Sequence, residues 1–275
     1  MSVVRDMLDR LRGKPQGRRI ERRLQPLGMR ATGATQPDLP VAPDTFHVND
    51  GPHYIDVLQQ MHLKLQPEWY LEVGSRSGRS LALAKRNYVA IDPVFRRFPA
   101  HPVNGYRMHF LAMTSDAAFA SGFLTREEIR PEFGFLDGMH LAEFLMRDLI
   151  NFEAAAAPGA CVALHDCLPT THTMETRDDS LIAEGKSWTG DVWKVLWWVL
   201  QHRPDLEVNV LDAWPTGLVV IRGLNPENRV LPDLYDRFVA EMGPIRLADF
   251  GVERFFSAFK IQSSFRFVAD LPART

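Results

Sequence analysis

The sequence predicts an α/β protein built on a doubly wound, mostly parallel sheet. Three observations carry this. A strand, glycine turn and helix are readable in order from Trp69 to Arg86. Short apolar runs then recur between helical patterns, at Tyr88–Asp92, Tyr106–Met113, Phe133–Asp137 and Ala160–His165. The last two runs, Leu206–Leu211 and Gly217–Ile221, are joined only by Asp212–Thr216, too short for a parallel crossover, so they form an antiparallel edge hairpin. The count is seven strands, with helical extensions before and after the sheet.

The first unit reads Trp69-Tyr-Leu-Glu-Val-Gly-Ser-Arg-Ser-Gly-Arg-Ser80. Trp69, Tyr70, Leu71 and Val73 suit a buried strand, with the carboxylate of Glu72 among them. Gly74 allows a sharp turn and close approach of a ligand to the backbone. Gly78 allows a helix over Ser80–Arg86 to pack on the strand, its free N–H groups turned toward an anionic ligand group. The spacing is Glu-x-Gly-x-x-x-Gly, not the Gly-x-Gly-x-x-Gly that seats a pyrophosphate. Asp92 ends the second strand, 18 residues after Gly74. A carboxylate at that place in a nucleotide-binding sheet accepts hydrogen bonds from ribose hydroxyls.

Composition limits the alternatives. The 275 residues include 45% hydrophobic and 24% charged residues, an ordinary globular mix with a net charge of -2. That balance argues against whole-surface nucleic-acid binding. Two cysteines, Cys161 and Cys167, make neither a disulfide framework nor a zinc cluster, which suggests a reducing cytoplasm. No apolar run reaches membrane-spanning length, and the N-terminus lacks an apolar leader.

Residues 1–45 read as a basic arm and linker. Arg5, Arg10, Arg12, Lys14, Arg18, Arg19, Arg22 and Arg23 outnumber Asp6, Asp9 and Glu21, and Val4, Met7, Leu8 and Leu11 fall at helical spacing. The arm is a solvated tail, or it contacts an acidic partner or anionic lipid. The remaining boundaries place the main domain at 46–223 and a helical extension on the same domain at 224–275. A helix over His53–Leu65 leads into the first strand.

Phe133, Phe135 and Leu136 form a strand that delivers Asp137 to its carboxyl end, where open α/β sheets bind ligands. A helix from Leu141 to about Ala157 follows, stopped by Pro158-Gly159. The next strand ends in His165-Asp166-Cys167. Asp137 and Asp166 therefore reach the same rim, and two carboxylates there can share a hard cation. His140 lies close enough to take a proton from a substrate hydroxyl. Asp116, after the third strand, caps the next helix or borders the ligand. The long polar connection Leu168–Trp188 reads as an acceptor-binding lid, with His172 and Glu175 as further contacts. Asp191 favours the start of the helix carrying Trp193, Leu196, Trp197 and Leu200. Phe255, Phe256 and Phe259 either cover the domain or join copies in a homo-oligomer.

The glycine turn resembles motif I of the class I S-adenosylmethionine (SAM) methyltransferases, which have a Rossmann-like sheet. Strand-Asp137-Gly-x-His140, helix, Pro-Gly, strand, His165-Asp166 resembles their metal-dependent branch, which includes macrolide-sugar and other small-molecule O-methyltransferases. The likeness covers about Tyr70 to Pro169. It implies SAM on Glu72, Gly74, Ser75, Gly78 and Asp92, with Asp116 at the adenine. It implies Mg²⁺ on Asp137 and Asp166, and His140 as base toward a small-molecule or sugar hydroxyl. Members often place a second acid beside the last Asp; here its neighbours are His165, which either joins the metal ligands or orients Asp166, and Cys167. A nicotinamide-dependent oxidoreductase would need a third turn glycine. A non-catalytic methyltransferase-like binding protein would work through its basic arm instead.

Overall fold

The computed structural model describes residues 46–96, 105–180 and 185–273. The chain divides into two units, Met1–Asp44 and Thr45–Thr275. The basic arm expected over residues 1–45 lies outside the described residues.

In the second unit, α1 (Tyr54–Leu65) leads into β1 (Trp69–Val73). The sheet continues with β2 (Asn87–Ile91) and β3 (Met108–Leu111). Two short helices follow, α2 (Ser115–Ala120) and α3 (Phe123–Arg126). Then come β4 (Phe133–Leu136), α4 (Ala142–Ala155) and β5 (Cys161–His165). After α5 (Trp193–His202) come β6 (Glu207–Leu211) and β7 (Leu218–Arg222). The C-terminal part holds α6 (Val230–Met242), α7 (Leu247–Phe250), α8 (Val252–Phe256), β8 (Ile261–Gln262) and α9 (Ser264–Asp270).

The strand order is β3-β2-β1-β4-β5-β7-β6-β8. The pairs from β3 to β5 are parallel, and β7 runs antiparallel to both β5 and β6. The seven expected strands and the edge hairpin are all present. The sheet does not end at Gly223, however: β8, two residues long, pairs parallel with β6 and makes an eighth strand. So short a strand leaves no periodic signal in the sequence.

Alternation along the strands divides the core in two. Leu71, Val73, Val89, Ile91, Leu136, Val162 and Leu164 face α4, α5 and α6. Tyr70, Tyr88, Ala90, Phe133, Phe135, Cys161 and Ala163 face α1 and α9. Lys64 ties those two helices together, donating to the carbonyls of Ala269 and Leu271 at the end of α9. His62 is buried against Tyr70 and Phe133, so it packs and is no ligand. Phe255 is buried against Trp193, so the C-terminal aromatic face covers this domain.

The helix expected over Ser80–Arg86 is absent. Only Leu81–Leu83 forms a single 3-10 turn, and Ala84 is already extended. The tight bonds Gly78 N–H to Ser75 and Ala82 N–H to Gly78 use up the chain in turns, and six residues after Ser80 do not suffice for a helix before β2. The turn is therefore not followed by an α-helix of its own, and α1 and α9 pack on that face of the sheet.

One buried ion pair joins the two large helices of the other face. Arg203, after α5, donates to both oxygens of Glu153 in α4, at 2.7 and 2.8 Å, with both side chains almost fully buried. Removing one partner strands a buried charge. Glu153→Ala should lower the unfolding free energy by about 3 kcal/mol, read as a reduced urea midpoint with an unchanged slope.

Candidate functional site

The carboxyl ends of β1, β4 and β5 meet above Gly74. This residue has φ +88°, and any side chain on it would overlap the backbone of Asp137 and Gly138. Gly74 is thus required first by the packing of two strand ends, a reason beyond ligand approach. The parallel register pairs Leu136 with Leu164. One step on, Asp137 and His165 lie opposite each other and share a face.

Strict alternation would turn the next residue, Asp166, to the other face. It does not, because Asp166 adopts φ +60°, a left-handed conformation unusual for a non-glycine residue. Thr216, at the start of the β7 hairpin arm, donates its hydroxyl to Asp166 Oδ1 and helps hold it there. The result is a cluster of two acids and two imidazoles. His140 Nε2 is 3.4 Å from Asp137 Oδ1, and its Nδ1 is 3.2 Å from Asp166 Oδ2. His165 Nδ1 is 3.3 Å from the same two oxygens. Asp137, His140 and Asp166 offer donor atoms that all lie within 4.8 Å of one another.

The charges in this cluster are interdependent. Burial alone would raise the pKa of both aspartates, but His165 and His140 outweigh it and hold both carboxyls below the usual range. Burial alone would lower the two histidines, but Asp166 and Asp137 hold His140 up at about 9 and His165 at about 10. Two carboxylates set this close, Asp166 buried and Asp137 half-buried, call for positive charge, and either protons on the imidazoles or one divalent ion provides it.

His140 is aimed by a segment far away in sequence. Its Nδ1 lies 2.9 Å from the Trp188 carbonyl, and its ring stacks on the Trp188 indole at 5.0 Å. With Nδ1–H donating to that carbonyl, Nε2 is the nitrogen left for chemistry. Gly190 is needed for this contact, since a side chain there would collide with the His140 carbonyl. Asp191 Oδ1 accepts from the Ala142 N–H at the start of α4. Asp191 therefore serves the helix that follows His140, not the one expected, α5, whose first residue is Trp193. Its other oxygen accepts from Lys194 at 2.7 Å and Arg177 at 2.6 Å.

The connection Leu168–Trp188 is thus tied down at both ends. Residues 181–184 lie outside the described residues. Thr189 and Gly190 N–H both bond to the Met174 carbonyl, and Trp188 Nε1–H bonds to that of Thr176. Glu175 is buried and accepts from Trp193 Nε1 and Leu247 N–H, which makes it a brace and removes it from the expected acceptor or metal set. His172 packs edge-on against Phe46 at 4.9 Å.

The remaining expected residues line the rim beside this cluster. Glu72 is fully buried, accepting from Tyr70 Oη at 2.7 Å and Ser80 Oγ at 3.0 Å, so it braces the glycine turn from beneath. Ser75 is buried in that turn. Asp92 accepts from Arg76 N–H and Val94 N–H, both at 2.7 Å, and joins the end of β2 to the turn. Asp116 does not cap α2; Thr114 does, accepting from Ala117 N–H. Asp116 is held bidentately by Arg147 at 2.8 and 2.7 Å. Cys161 and Cys167 are buried, and burial pushes both thiols up, Cys161 to about 12. Neither is a nucleophile.

Sequence reasoning missed Tyr54 and Trp214. Tyr54 opens α1 and lies 4.0 Å from the His165 ring. His53 stacks on Tyr54 at 4.7 Å and meets Trp214 at 5.2 Å. Trp214 is 53% exposed, so a row of rings runs from solvent to His165. The bonds that fix it, Trp214 N–H to Pro52 and Tyr54 N–H to Trp214, are backbone bonds with no side-chain signature.

No family model matches the sequence, and no curated protein does. Solved structures are similar in form. They include cofactor-bound Rv0187 from MTB, at 14% identity and TM-score 0.46 over 64% of this chain and 85% of that one. An O-methyltransferase from Bacillus cereus in complex with SAH is 13% identical with TM-score 0.44, over 62% of this chain and 79% of that one. The O-methyltransferase TomG from Streptomyces achromogenes, involved in tomaymycin synthesis and in complex with SAM, is 15% identical with TM-score 0.46, over 62% and 79%. At this level the likeness concerns the fold alone. The strand order itself gives the expected class: a Rossmann-like, mostly parallel sheet with an antiparallel hairpin toward one edge.

Burial raises Glu72 from an ordinary 4.5 to about 7, against the hydrogen bonds from Tyr70 and Ser80 that lower it. A carboxyl with a raised native pKa stabilises the fold fully below its unfolded value. That stability is lost as pH rises from about 4.5 through about 7. Between pH 5 and 8 the native protein should lose roughly 2 to 3 kcal/mol more than Glu72→Gln, measured by denaturant unfolding at each pH.

Proposed function

We propose that this chain is a SAM-dependent methyltransferase that methylates a hydroxyl group of a small molecule. The observation that carries the reading is the convergence of Asp137, His140 and Asp166 on one rim, beside the glycine turn at Gly74. The fold allows many chemistries, so the argument rests on this site.

The cofactor reading uses the turn and its neighbours. Gly74, Ser75 and Gly78 form a backbone wall for the amino-acid end of SAM, held in shape by Glu72. Asp92 keeps a second lone pair on each oxygen for the ribose hydroxyls while its first ones hold Arg76 and Val94. Thr114–Asp116 would border the adenine, with the Asp116 carboxylate already engaged by Arg147. The turn has two glycines in place of three, which disfavours a pyrophosphate and hence a nicotinamide dinucleotide.

The acidic pair fits a divalent ion by its donor chemistry, since Asp166 is buried, Asp137 is half-buried, and both carboxyls are held below the usual range. When bound, such an ion supplies positive charge that lowers the pKa of an acceptor hydroxyl. His140 is the base once an ion stands in place of the protons that otherwise balance the two acids: its Nδ1–H is committed to Trp188, so a deprotonated Nε2 would receive the acceptor's proton. Trp188 and Gly190 keep that nitrogen aimed at Asp137 and not at solvent. The exposed face of Trp214, with His53 and Tyr54 behind it, offers a platform for a ring-bearing acceptor, either a phenol or a sugar.

Calorimetry with S-adenosylhomocysteine should give a one-to-one complex of micromolar affinity, and no binding of NAD. Absence of any S-adenosylhomocysteine complex would sink the reading. Once an acceptor is found by screening sugars and phenols, His140→Ala should cut kcat by about 10²- to 10⁴-fold. Its affinity for S-adenosylhomocysteine should stay within about threefold, because binding and deprotonation use different residues.

A further inference from the structure

The acidic pair has a third candidate donor that the likeness to metal-dependent methyltransferases does not provide. In that likeness a second acid often stands beside the last Asp. Here the residue after Asp166 is Cys167, buried, with its thiol turned to the His165 carbonyl. The residue before it, His165, is the one that faces the acids.

His165 is 7% exposed, and among the described residues neither of its ring nitrogens has a hydrogen-bond partner. Yet Nδ1 sits 3.3 Å from Asp137 Oδ1 and 3.3 Å from Asp166 Oδ2. These contacts lack hydrogen-bond geometry, but their lengths suit another arrangement. Ligands about 2.0 to 2.1 Å from one ion stand about 2.9 Å apart at right angles and about 3.4 Å apart at tetrahedral angles. An imidazole nitrogen at such a distance from each of two carboxylate oxygens can complete one face of a coordination shell with them, beside the grouping of those acids with His140. The opposite side is left for an acceptor, as in catalytic metal centres. Tyr54, at 4.0 Å, packs on the His165 ring. His140 Nδ1 is engaged by Trp188, and its Nε2 remains available as base.

We propose that His165 is a metal ligand together with Asp137 and Asp166, and that the site takes a first-row transition ion in preference to Mg²⁺. Carboxylates alone suit Mg²⁺, which favours an all-oxygen shell and retains its water; an imidazole donor shifts the preference toward Mn²⁺, Co²⁺ or Zn²⁺. The inference rests on the reading of Asp137 and Asp166 as a cation site.

The test uses the full chain, stripped with chelator and dialysed. Calorimetric titration with Co²⁺, Mn²⁺ and Mg²⁺ should show Co²⁺ and Mn²⁺ binding at least tenfold more tightly than Mg²⁺. Pulsed electron paramagnetic resonance of bound Mn²⁺ should show coupling to an imidazole nitrogen. His165→Gln should abolish that coupling and weaken Mn²⁺ at least tenfold, whereas His140→Gln should keep the coupling and weaken Mn²⁺ less than threefold. Thermal unfolding and S-adenosylhomocysteine affinity serve as controls that each variant is folded. Equal or tighter Mg²⁺ binding, a coupling lost with His140 in place of His165, or no coupling at all would overturn the proposal. No ion binding by a protein that still binds S-adenosylhomocysteine would overturn it too, leaving the SAM reading intact. Failure to bind S-adenosylhomocysteine would strike the SAM reading itself.

Discussion

Two carboxylates brought together at one rim, Asp166 buried and Asp137 half-buried, set the terms for the rest of this site. Asp137 and Asp166 lie at adjoining strand ends, and bringing them to one face costs free energy in repulsion and desolvation. The protein answers with two imidazoles within 3.4 Å and a threonine hydroxyl on Asp166. It also accepts a left-handed backbone at Asp166, where alternation would have sent the side chain away. A fold keeps such an arrangement only when the surrounding packing overdetermines it. Here the glycine at 74 lets the first strand close directly on Asp137, and the hairpin behind Thr216 closes on Asp166.

Around this centre the support is built from distant segments. Residues 188–191 reach back over 48 positions to fix the ring of His140, and Asp191 seats the first N–H of α4. Lys194 and Arg177 neutralise Asp191 in turn, and Lys194 also donates to the carbonyl of Gly243, where α6 ends. Such nested partners give the His140 ring a defined direction.

Much of this was legible in the sequence. Strands bounded by glycine, proline and acid carry their period openly, so all seven expected strands formed, and Asp137, His140 and Asp166 converge. Other features depended on contacts that no local pattern reveals. The helix after Gly78 failed because the turn itself took up the chain. Asp191 carries a helix-start signal, but the helix it serves begins 49 residues earlier. Glu175, polar and in a long connection, turned inward to brace Trp193 and Leu247. For His165 the sequence left two roles open, metal ligand or brace for Asp166; the parallel register, which sets it opposite Asp137, places it on the face of the acids.

The contact between Gly190 and the His140 backbone has a consequence for traffic through the site. With no room for even a methyl group between them, residues 188–191 cannot lift without releasing the imidazole they hold. A guest arriving from beneath that segment would displace the His140 ring. The indole of Trp214 is 53% exposed, and the chain at that edge is fastened by main-chain bonds and by the Asn49 side chain, which donates to the Pro215 carbonyl.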